Sequence, residues 1–298
     1  MIRQGTSALA PTAIAGNTDV VNGSVSKIDR ADAARVLTHG RIEIEGRLAG
    51  ASNATLYATA TIDGVTLTCV YKPIAGERPL WDFPDRTLGH REVATCLVSD
   101  ALAELAGEEN PGPVPLTVWR EDGPFGAGAC QLWIDVDEST ELVDVVAPDR
   151  VPSGWRSVLR ALGDDGRPLV LIHADAPELR RMALLDIVSN NSDRKGGHIL
   201  PGIDGRVYGI DHGLCFNVDD KLRTVLWGWA GEPLTDDERT LLAELAGALS
   251  GGDLGRSVAK HLAGDEIATT LERIHRLLDD DTLAHPTDGW PAIPWPAF

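Results

Sequence analysis

The sequence feature that most constrains the fold is an alternation of apolar and polar side chains over residues 41–71. Arg41 to Leu48 alternates as a half-buried strand does, and the alternation resumes from Thr55 to Ile62. Asp63-Gly64 is a dipeptide typical of a tight hairpin turn, and Val65 to Tyr71 follows as a third strand. Because short turns separate these segments, the pattern predicts three antiparallel strands with one buried face.

A helix and two more strands are predicted after these three strands. Residues 88–106 place apolar side chains at helical spacing, and Gly107 begins a Gly- and Pro-rich stretch that ends the helix. Val114 to Arg120 and Ala129 to Val136 have the composition of strands. The sequence therefore predicts one lobe of five antiparallel strands and one helix over residues 36–136.

The remainder, residues 137–298, is predicted to form a second, mainly helical lobe. Its clearest helix begins at Asp175, which is an N-cap residue with Glu178 in capping-box position. Residues 199–210 predict a short hairpin, and amphipathic helices follow between residues 234 and 278. The predicted fold is α+β and two-lobed, with an antiparallel five-stranded N-lobe and a mainly helical, shortened C-lobe.

Composition excludes several classes of partner and location. The net charge is −18, from 27 Lys and Arg against 45 Asp and Glu, which argues against nucleic acid and against general attraction to an anionic membrane. The sequence contains no run of about 18 apolar residues, so we predict no integral membrane segment. The four cysteines lack CxxC spacing, so we expect buried free thiols and a cytoplasmic location. Residues 1–30 lack periodicity and are predicted to be a disordered tail.

Two aspartates stand where phosphoryl transfer needs carboxylates. Asp193 lies in a polar loop after an apolar helical run, and Asp211 ends a short strand 18 residues later. A hairpin between them would bring the two carboxylates together. In phosphoryl transfer one Asp orients the acceptor hydroxyl and takes its proton, and the other holds the magnesium that bridges ATP phosphates. His198, five residues after Asp193, has the spacing of the second metal ligand.

Lys72 and Glu92 extend this constellation upstream. Lys72 ends the third strand, and Glu92 lies in the first turns of the following helix. Each has an ordinary alternative, Lys72 as an edge lysine whose stem covers apolar surface and Glu92 as a surface acid. The order of strand Lys, helix Glu, Asp193 and Asp211 matches that of kinase parts, and favours Lys72 as the phosphate-binding lysine paired with Glu92.

Two weaker signals concern nucleotide binding. The turn containing Ser52 and Asn53 offers a hydroxyl and backbone N–H groups to phosphates, although it lacks GxGxxG and resembles many turns of small residues. Gln131, Leu132 and Trp133 end the fifth strand where a nucleotide hinge would lie. We expect the backbone of Gln131 and Trp133 to face adenine. The alternative for Leu132 and Trp133 is core packing.

At these residues the chain resembles the phosphatidylinositol 3/4-kinase superfamily, most closely the type II phosphatidylinositol 4-kinases and their bacterial relatives, including a small actinobacterial group. The specific pieces are Asn-x-x-Asp-Arg at residues 190–194 and Asp-x-Gly at residues 211–213. The resemblance covers residues 70–214, in the family's order. It implies a protein-kinase-like fold in which Lys72 binds phosphates, Asp193 is the catalytic Asp and Asp211 binds the metal.

Two departures from the family bear on the substrate. The family's Asn ligand is His198 here, and imidazole prefers softer metals than Mg²⁺. Arg194-Lys195 is the only basic doublet near the site, whereas a phosphoinositide kinase uses basic patches on its membrane face. We therefore expect ATP with Mg²⁺ or Mn²⁺, and a hydroxyl acceptor on protein, including this chain itself, ahead of lipid. The alternatives are a phosphatidylinositol kinase and a nucleotide-binding pseudokinase scaffold.

Overall fold

The computed structural model describes residues 28–48, 53–84 and 86–298. It confirms the α+β class, because the paired strands of its sheets are antiparallel and the three helices within residues 236–280 follow one another without an intervening strand. Most of the predicted N-terminal tail, and the predicted phosphate-binding Ser52, lie outside the described residues. The chain divides into two compact units: a sheet unit, residues 28–89 and Leu116–Trp133, and a helix-rich unit, His90–Pro115 and Ile134–Phe298.

The sheet unit is built on a five-stranded antiparallel sheet, as predicted. Its strands lie in the order β1-β2-β3-β5-β4, and their bounds are β1 Arg41–Arg47, β2 Leu56–Ile62, β3 Val65–Pro73, β4 Thr117–Arg120 and β5 Gly128–Leu132. Asp63 and Gly64 both have positive φ at the β2–β3 turn, which the Asp-Gly dipeptide predicts. β4 and β5 are shorter than the predicted strands, since neither includes residues 114–116 or 133–136.

A helix that the sequence patterns did not predict packs against this sheet. α1 (Arg30–His39) contacts β2, β3, β4 and β5 through three buried residues, Ala33, Val36 and Leu37. Arg120 on β4 donates hydrogen bonds to the carbonyl oxygens of Leu37 and Gly40. Only a few apolar residues form the buried face of α1, so its sequence shows no clear helical periodicity. Packing against the sheet stabilises this helix.

α2 (Leu88–Leu105) follows at the position where a helix is predicted. The Glu77 carboxylate accepts the backbone N–H groups of Leu88, at 3.2 Å, and Gly89, at 2.9 Å, and so supplies partners for the helix N-terminus. The boundary between the units falls near the first turn of α2. This boundary differs from the predicted one, which places residues 36–136 in a single lobe.

The helix-rich unit combines four further helices with two small sheets. The helices are α3 (Pro177–Ser189), α4 (Asp236–Gly251), α5 (Asp253–Val258) and α6 (Gly264–Asp280), and the strands are β6 (Val143–Val146), β7 (Trp155–Leu162), β8 (Pro168–Ala174), β9 (Ile199–Pro201) and β10 (Val207–Gly209). β9 and β10 form the predicted hairpin. The three-stranded sheet β6-β8-β7 is not predicted by the sequence patterns. The centre of β8, residues 170–172, is a continuous buried apolar run, which periodicity alone cannot assign to a strand or a helix.

α3 begins differently from the prediction. Its N-cap is Ala176, with Pro177 in the first turn, and no side chain caps the helix. The Asp175 carboxylate accepts hydrogen bonds from Arg156 Nε at 2.6 Å and Trp229 Nε1 at 3.1 Å. The predicted capping role of Asp175 is therefore wrong, because a charged arginine partner binds its carboxylate instead of the helix N–H groups.

The structure confirms the prediction for the cysteines. All four cysteines are buried free thiols. Burial raises the pKa of the Cys215 thiol to about 12, so this thiol stays protonated. None of the described helices is both long enough and apolar enough to cross a bilayer.

Candidate active site

The loop that carries Asp193 begins at the end of α3 with two buried asparagines. Asn190 adopts the left-handed conformation with φ 51° and donates from Nδ2 to the carbonyl oxygens of Asn217 and Asp219. Asn191 Oδ1 accepts the backbone N–H of Asp193 at 3.0 Å. Both side chains are buried, so they fix the backbone that presents Asp193.

Arg194 is the buried charge around which this loop folds. Its guanidinium contacts the carboxylate of Asp186 on α3, with Nη2 2.9 Å from Oδ1. Burial lowers the pKa of the guanidinium, but the charge and hydrogen bonds of Asp186 outweigh this effect, and the pKa lies above its ordinary value. Thr224 Oγ1 and Asn191 Nδ2 also donate to this carboxylate. The buried pair is therefore well supplied with hydrogen bonds.

The same guanidinium joins the segments that carry Asp193 and Asp211. Arg194 Nη1 donates to the carbonyl oxygens of His198, at 3.3 Å, and Ile210, at 3.1 Å. Arg194 Nη2 lies 2.6 Å from Nε2 of His212, which accepts this bond because arginine only donates. Arg194 thus contacts the residues on both sides of Asp211, and the two segments lie together as the hairpin predicts.

We expect Arg194→Met to lower the free energy of unfolding by about 3–5 kcal/mol, because it leaves the Asp186 carboxylate buried without its charge partner. Chemical denaturation of the variant and the unaltered protein measures this loss. Lys195→Met is the matched control, and it should cost less than about 1 kcal/mol because the Lys195 side chain is partly exposed. Equal, small losses in both variants would contradict the role of Arg194.

Asp211 follows β10 in a conformation that is unusual for a residue with a side chain. Its φ is 61°, in the left-handed region. Non-glycine residues seldom adopt this conformation, and those that do are often found at functional sites. Asp211 Oδ2 lies 3.5 Å from His198 Nε2, and the two side chains are 53% and 15% exposed. Neighbouring ligands of an octahedral ion with bonds of about 2.1 Å stand about 3 Å apart. A small movement would therefore let both side chains bind one divalent ion.

His198 is neutral in this environment. Burial lowers the pKa of its imidazole and outweighs Asp211, whose charge raises it. A neutral ring can ligate a metal ion. However, among the described residues no hydrogen-bond partner reaches its buried Nδ1, whereas metal-ligating histidines usually donate their second ring N–H. The imidazole is therefore in the form that binds metal, but it lacks the usual orienting bond.

The protein ligands available to a metal here are few. Residues 28–48, 53–84 and 86–298 contain no group of three or more His, Cys, Asp and Glu that could hold an ion. Magnesium in nucleotide sites is commonly bound by one or two carboxylates together with phosphate oxygens and water. Asp211 and His198 fit that kind of site, in which phosphate oxygens and water supply the remaining ligands.

Asp193 lies beside a lysine that the sequence patterns did not assign to the site. Lys195 Nζ is 3.0 Å from Asp193 Oδ2, and both side chains are partly exposed, so a substrate can approach them. An ammonium group at this position could stabilise charge on a phosphoryl oxygen while Asp193 accepts a proton. The only sequence signal for Lys195 was the Arg194-Lys195 doublet. In the structure Arg194 is buried, whereas Lys195 is partly exposed.

Glu92 contacts the Asp211 segment from α2. Its side chain is buried, and Oε2 accepts the backbone N–H of His212 at 3.0 Å. Glu92 therefore fixes the backbone next to Asp211. Lys72 lies in the sheet unit near the end of β3, opposite Ala129 of β5, and is partly exposed. The ion pair between Lys72 and Glu92 stays a prediction.

Backbone groups at the predicted adenine hinge hydrogen-bond within the sheet unit, and adenine binding there stays a prediction. The N–H of Trp133 donates to Thr68 O at 3.0 Å, and the N–H of Leu132 donates to Leu116 O at 2.8 Å. Gln131 lies in β5 between β3 and β4, and its side chain donates to Thr117 Oγ1. These groups hydrogen-bond within the sheet because β5 is an interior strand, with a neighbour on each side.

Asn53 has a structural partner in the sheet unit. Its Oδ1 accepts the backbone N–H of Arg78 at 2.9 Å, which links the turn before β2 to the loop after β3. The predicted phosphate contacts of this turn depend also on Ser52, which is outside the described residues. Phosphate binding by this turn stays a prediction.

Comparison with known proteins places the chain in a family. No protein-family model matches the chain. Protein Rv2133c of Mycobacterium tuberculosis (strain ATCC 25618 / H37Rv) is 48% identical to it over 278 residues, which cover 90% of this chain and 96% of that protein. The similarity thus extends over both units rather than over one motif. The chain therefore belongs to the same protein family as Protein Rv2133c.

Proposed function

We propose that the protein is a kinase that binds ATP with Mg²⁺ or Mn²⁺ and transfers the γ-phosphoryl group to a hydroxyl. One observation carries this proposal: a single buried guanidinium, that of Arg194, contacts both the loop of Asp193 and the strand end of Asp211. It supports the pairing of two carboxylates that phosphoryl transfer requires. The resemblance to the phosphatidylinositol 3/4-kinase superfamily supports the same activity.

The residues around Asp193 act on the acceptor. Asp193 orients the hydroxyl and takes its proton as the new O–P bond forms. The bond between the γ-phosphorus and its bridging oxygen breaks at the same time, and ADP is the leaving group. Lys195, 3.0 Å from Asp193, stabilises the negative charge of the transferred group. Asn191 keeps the Asp193 backbone in place.

The remaining residues act on the nucleotide. Asp211 and His198 would hold the divalent ion, which neutralises phosphate charge when bound. Glu92 positions this pair through its hydrogen bond to the N–H of His212. Lys72, in the sheet unit, contacts the phosphates.

Protein ranks above lipid as the acceptor. An anionic membrane attracts each nearby Lys or Arg by about 1 kcal/mol, and the net charge of −18 acts in the opposite sense. The one basic doublet near the site does not form an exposed patch, because Arg194 is fully buried and Lys195 pairs with Asp193. We therefore propose serine or threonine hydroxyls of protein, including those of the enzyme itself.

The experiment that tests the activity is an ATP-turnover assay in Mg²⁺ and in Mn²⁺. We expect turnover by the unaltered protein and a loss of at least about 100-fold in Lys72→Met, because the variant lacks a positive charge at the phosphates. The melting temperature should change little, since Lys72 is partly exposed. Lys260→Met, which removes an exposed lysine of the helix-rich unit, is the control and should retain activity. Equal turnover in both variants would contradict the role of Lys72.

A second candidate function, a nucleotide-binding pseudokinase scaffold, is favoured by one observation. The N–H of Trp133, which the predicted hinge offers to adenine, already donates to Thr68 O within the sheet unit. The same assay separates the two functions. Metal-dependent ATP binding without any turnover by the unaltered protein would favour the scaffold.

A further inference from the structure

Residues 290–298, here called the strap, lie against the Asp193 loop. The backbone N–H of Gly196 donates to Ala297 O at 2.8 Å. A Cβ atom on Gly196 would overlap the ring of Phe298, so this ring fills the space that a side chain at position 196 would need. Gly196 is not in the left-handed region. Its lack of a side chain is therefore matched to the Phe298 ring rather than to backbone strain.

A second set of contacts anchors the beginning of the strap. The carbonyl oxygen of Ala292 accepts hydrogen bonds from Thr224 N at 3.1 Å and Trp227 Nε1 at 2.8 Å. The ring of Trp290 has two cations within reach, Lys221 Nζ at 5.2 Å and Arg223 Cζ at 5.4 Å from its centroid. The strap is thus bound to the segment 221–227 as well as to Gly196.

Segment 223–225 connects the strap to the Asp193 loop. Arg194 N donates to Arg223 O at 3.0 Å, and Val225 N donates to Arg194 O at 3.1 Å. Arg223 N donates to Asn191 O at 3.0 Å. The loop is therefore supported on both sides of Asp193, through segment 223–225 near Asn191 and Arg194, and directly by the strap at Gly196.

We propose that the strap is a positioning element of the active site. It fixes the backbone from Arg194 to His198, and through it the carboxylate of Asp193 and the imidazole of His198. The catalytic consequence rests on the proposed kinase function, whereas the mechanical support of the loop does not. Phe298 touches no reacting atom in this account. Its effect is geometric, and a misplacement of about 1 Å in an active site can cost about 100-fold in rate.

Phe298→Ala tests the strap with two independent measurements. Amide hydrogen exchange of residues 194–198 should accelerate by at least about 10-fold, because the variant removes the packing that closes the loop. The kcat should fall by at least about 10-fold, because the strap positions the backbone that carries both Asp193 and His198. Phe298→Leu, which keeps apolar volume, should restore most of both properties. Phe125→Ala is the control, since Phe125 is 54% exposed in the sheet unit and Phe298 is 50% exposed.

A double-mutant cycle tests the contact between Gly196 and Phe298. Gly196→Ala should lower kcat because its methyl group displaces the ring or the loop. Gly196→Ala combined with Phe298→Ala gives that methyl group room, so its kcat should exceed that of Gly196→Ala alone. Additive losses would contradict the contact.

The outcomes separate the strap from the proposed function. Unchanged exchange of residues 194–198 in Phe298→Ala overturns the proposal for the strap. If the unaltered protein turns over ATP, faster exchange with an unchanged or increased kcat in this variant overturns its positioning role. If the unaltered protein shows no turnover at all while Phe298→Ala speeds exchange in the loop, the kinase proposal fails and the mechanical support by the strap stands.

Discussion

Asp211→Asn is expected to abolish metal-dependent ATP binding and to lower turnover by at least about 10³-fold, because a neutral amide replaces the carboxylate that would hold the ion. A metal's stabilisation of phosphoryl charge is worth several kcal/mol, and each 1.36 kcal/mol is about tenfold in rate. The fold should persist, since Asp211 is half exposed and its carboxylate is not the buried partner of Arg194. Calorimetric titration with ATP in Mg²⁺ and in Mn²⁺ measures binding.

Asp165→Asn is the matched control for this variant. Asp165 is 52% exposed, close to the exposure of Asp211, and lies in the turn between β7 and β8. His198→Asn should shift the metal preference from Mn²⁺ toward Mg²⁺, because an amide oxygen is a harder ligand than imidazole. ATP binding to Asp211→Asn with the original metal dependence would remove Asp211 from the site, and an unchanged metal profile in His198→Asn would remove His198.

Asp193→Ala is expected to eliminate phosphoryl transfer from ATP labelled at the γ-phosphate. General-base catalysis contributes about 10²–10⁴-fold, and the variant also lacks the group that orients the hydroxyl. Its stability should change by less than about 1 kcal/mol, because Asp193 is partly exposed and its ion pair with Lys195 is near the surface. The measurement is autoradiography of the protein after incubation with labelled ATP, followed by phosphoamino-acid analysis.

A parallel reaction with phosphatidylinositol vesicles identifies the acceptor class. With the unaltered enzyme, we expect label on serine or threonine of protein and none on lipid. Label on phosphatidylinositol that depends on Asp193, with none on protein, would reverse this ranking and restore the lipid-kinase alternative. Undiminished protein labelling by Asp193→Ala would show that Asp193 does not orient the hydroxyl.

The main sheet could be predicted from sequence because apolar and polar residues alternate in β1 and the chain turns at recognisable residues such as Asp63 and Gly64. The elements that escaped prediction lack such local signals. α1 has only three buried residues, and the centre of β8 is apolar on both faces. Asp175 illustrates a different limit, since its partners Arg156 and Trp229 are distant in sequence and replace the local capping bonds.

In the candidate site, too, local sequence patterns predict some residues, whereas contacts between distant segments hold them in place. Spacing alone suggested Asp193, His198 and Asp211, because a short hairpin connects them. The contacts that organise these residues join distant segments, as between Glu92 and His212, which are 120 residues apart. The Phe298 ring against Gly196 is another such contact. No local pattern encodes them, so the structure was needed to identify the supporting residues.

The most direct test of the account is to locate the metal in crystals of the protein with Mn²⁺ and a non-hydrolysable ATP analogue, using anomalous scattering. We expect a manganese ion bonded to an oxygen of Asp211 at about 2.2 Å, with Nε2 of His198 as a second ligand and phosphate oxygens completing the shell. A manganese ion bound with the nucleotide away from Asp211, or a nucleotide bound without any contact to the Asp211 segment, would contradict it.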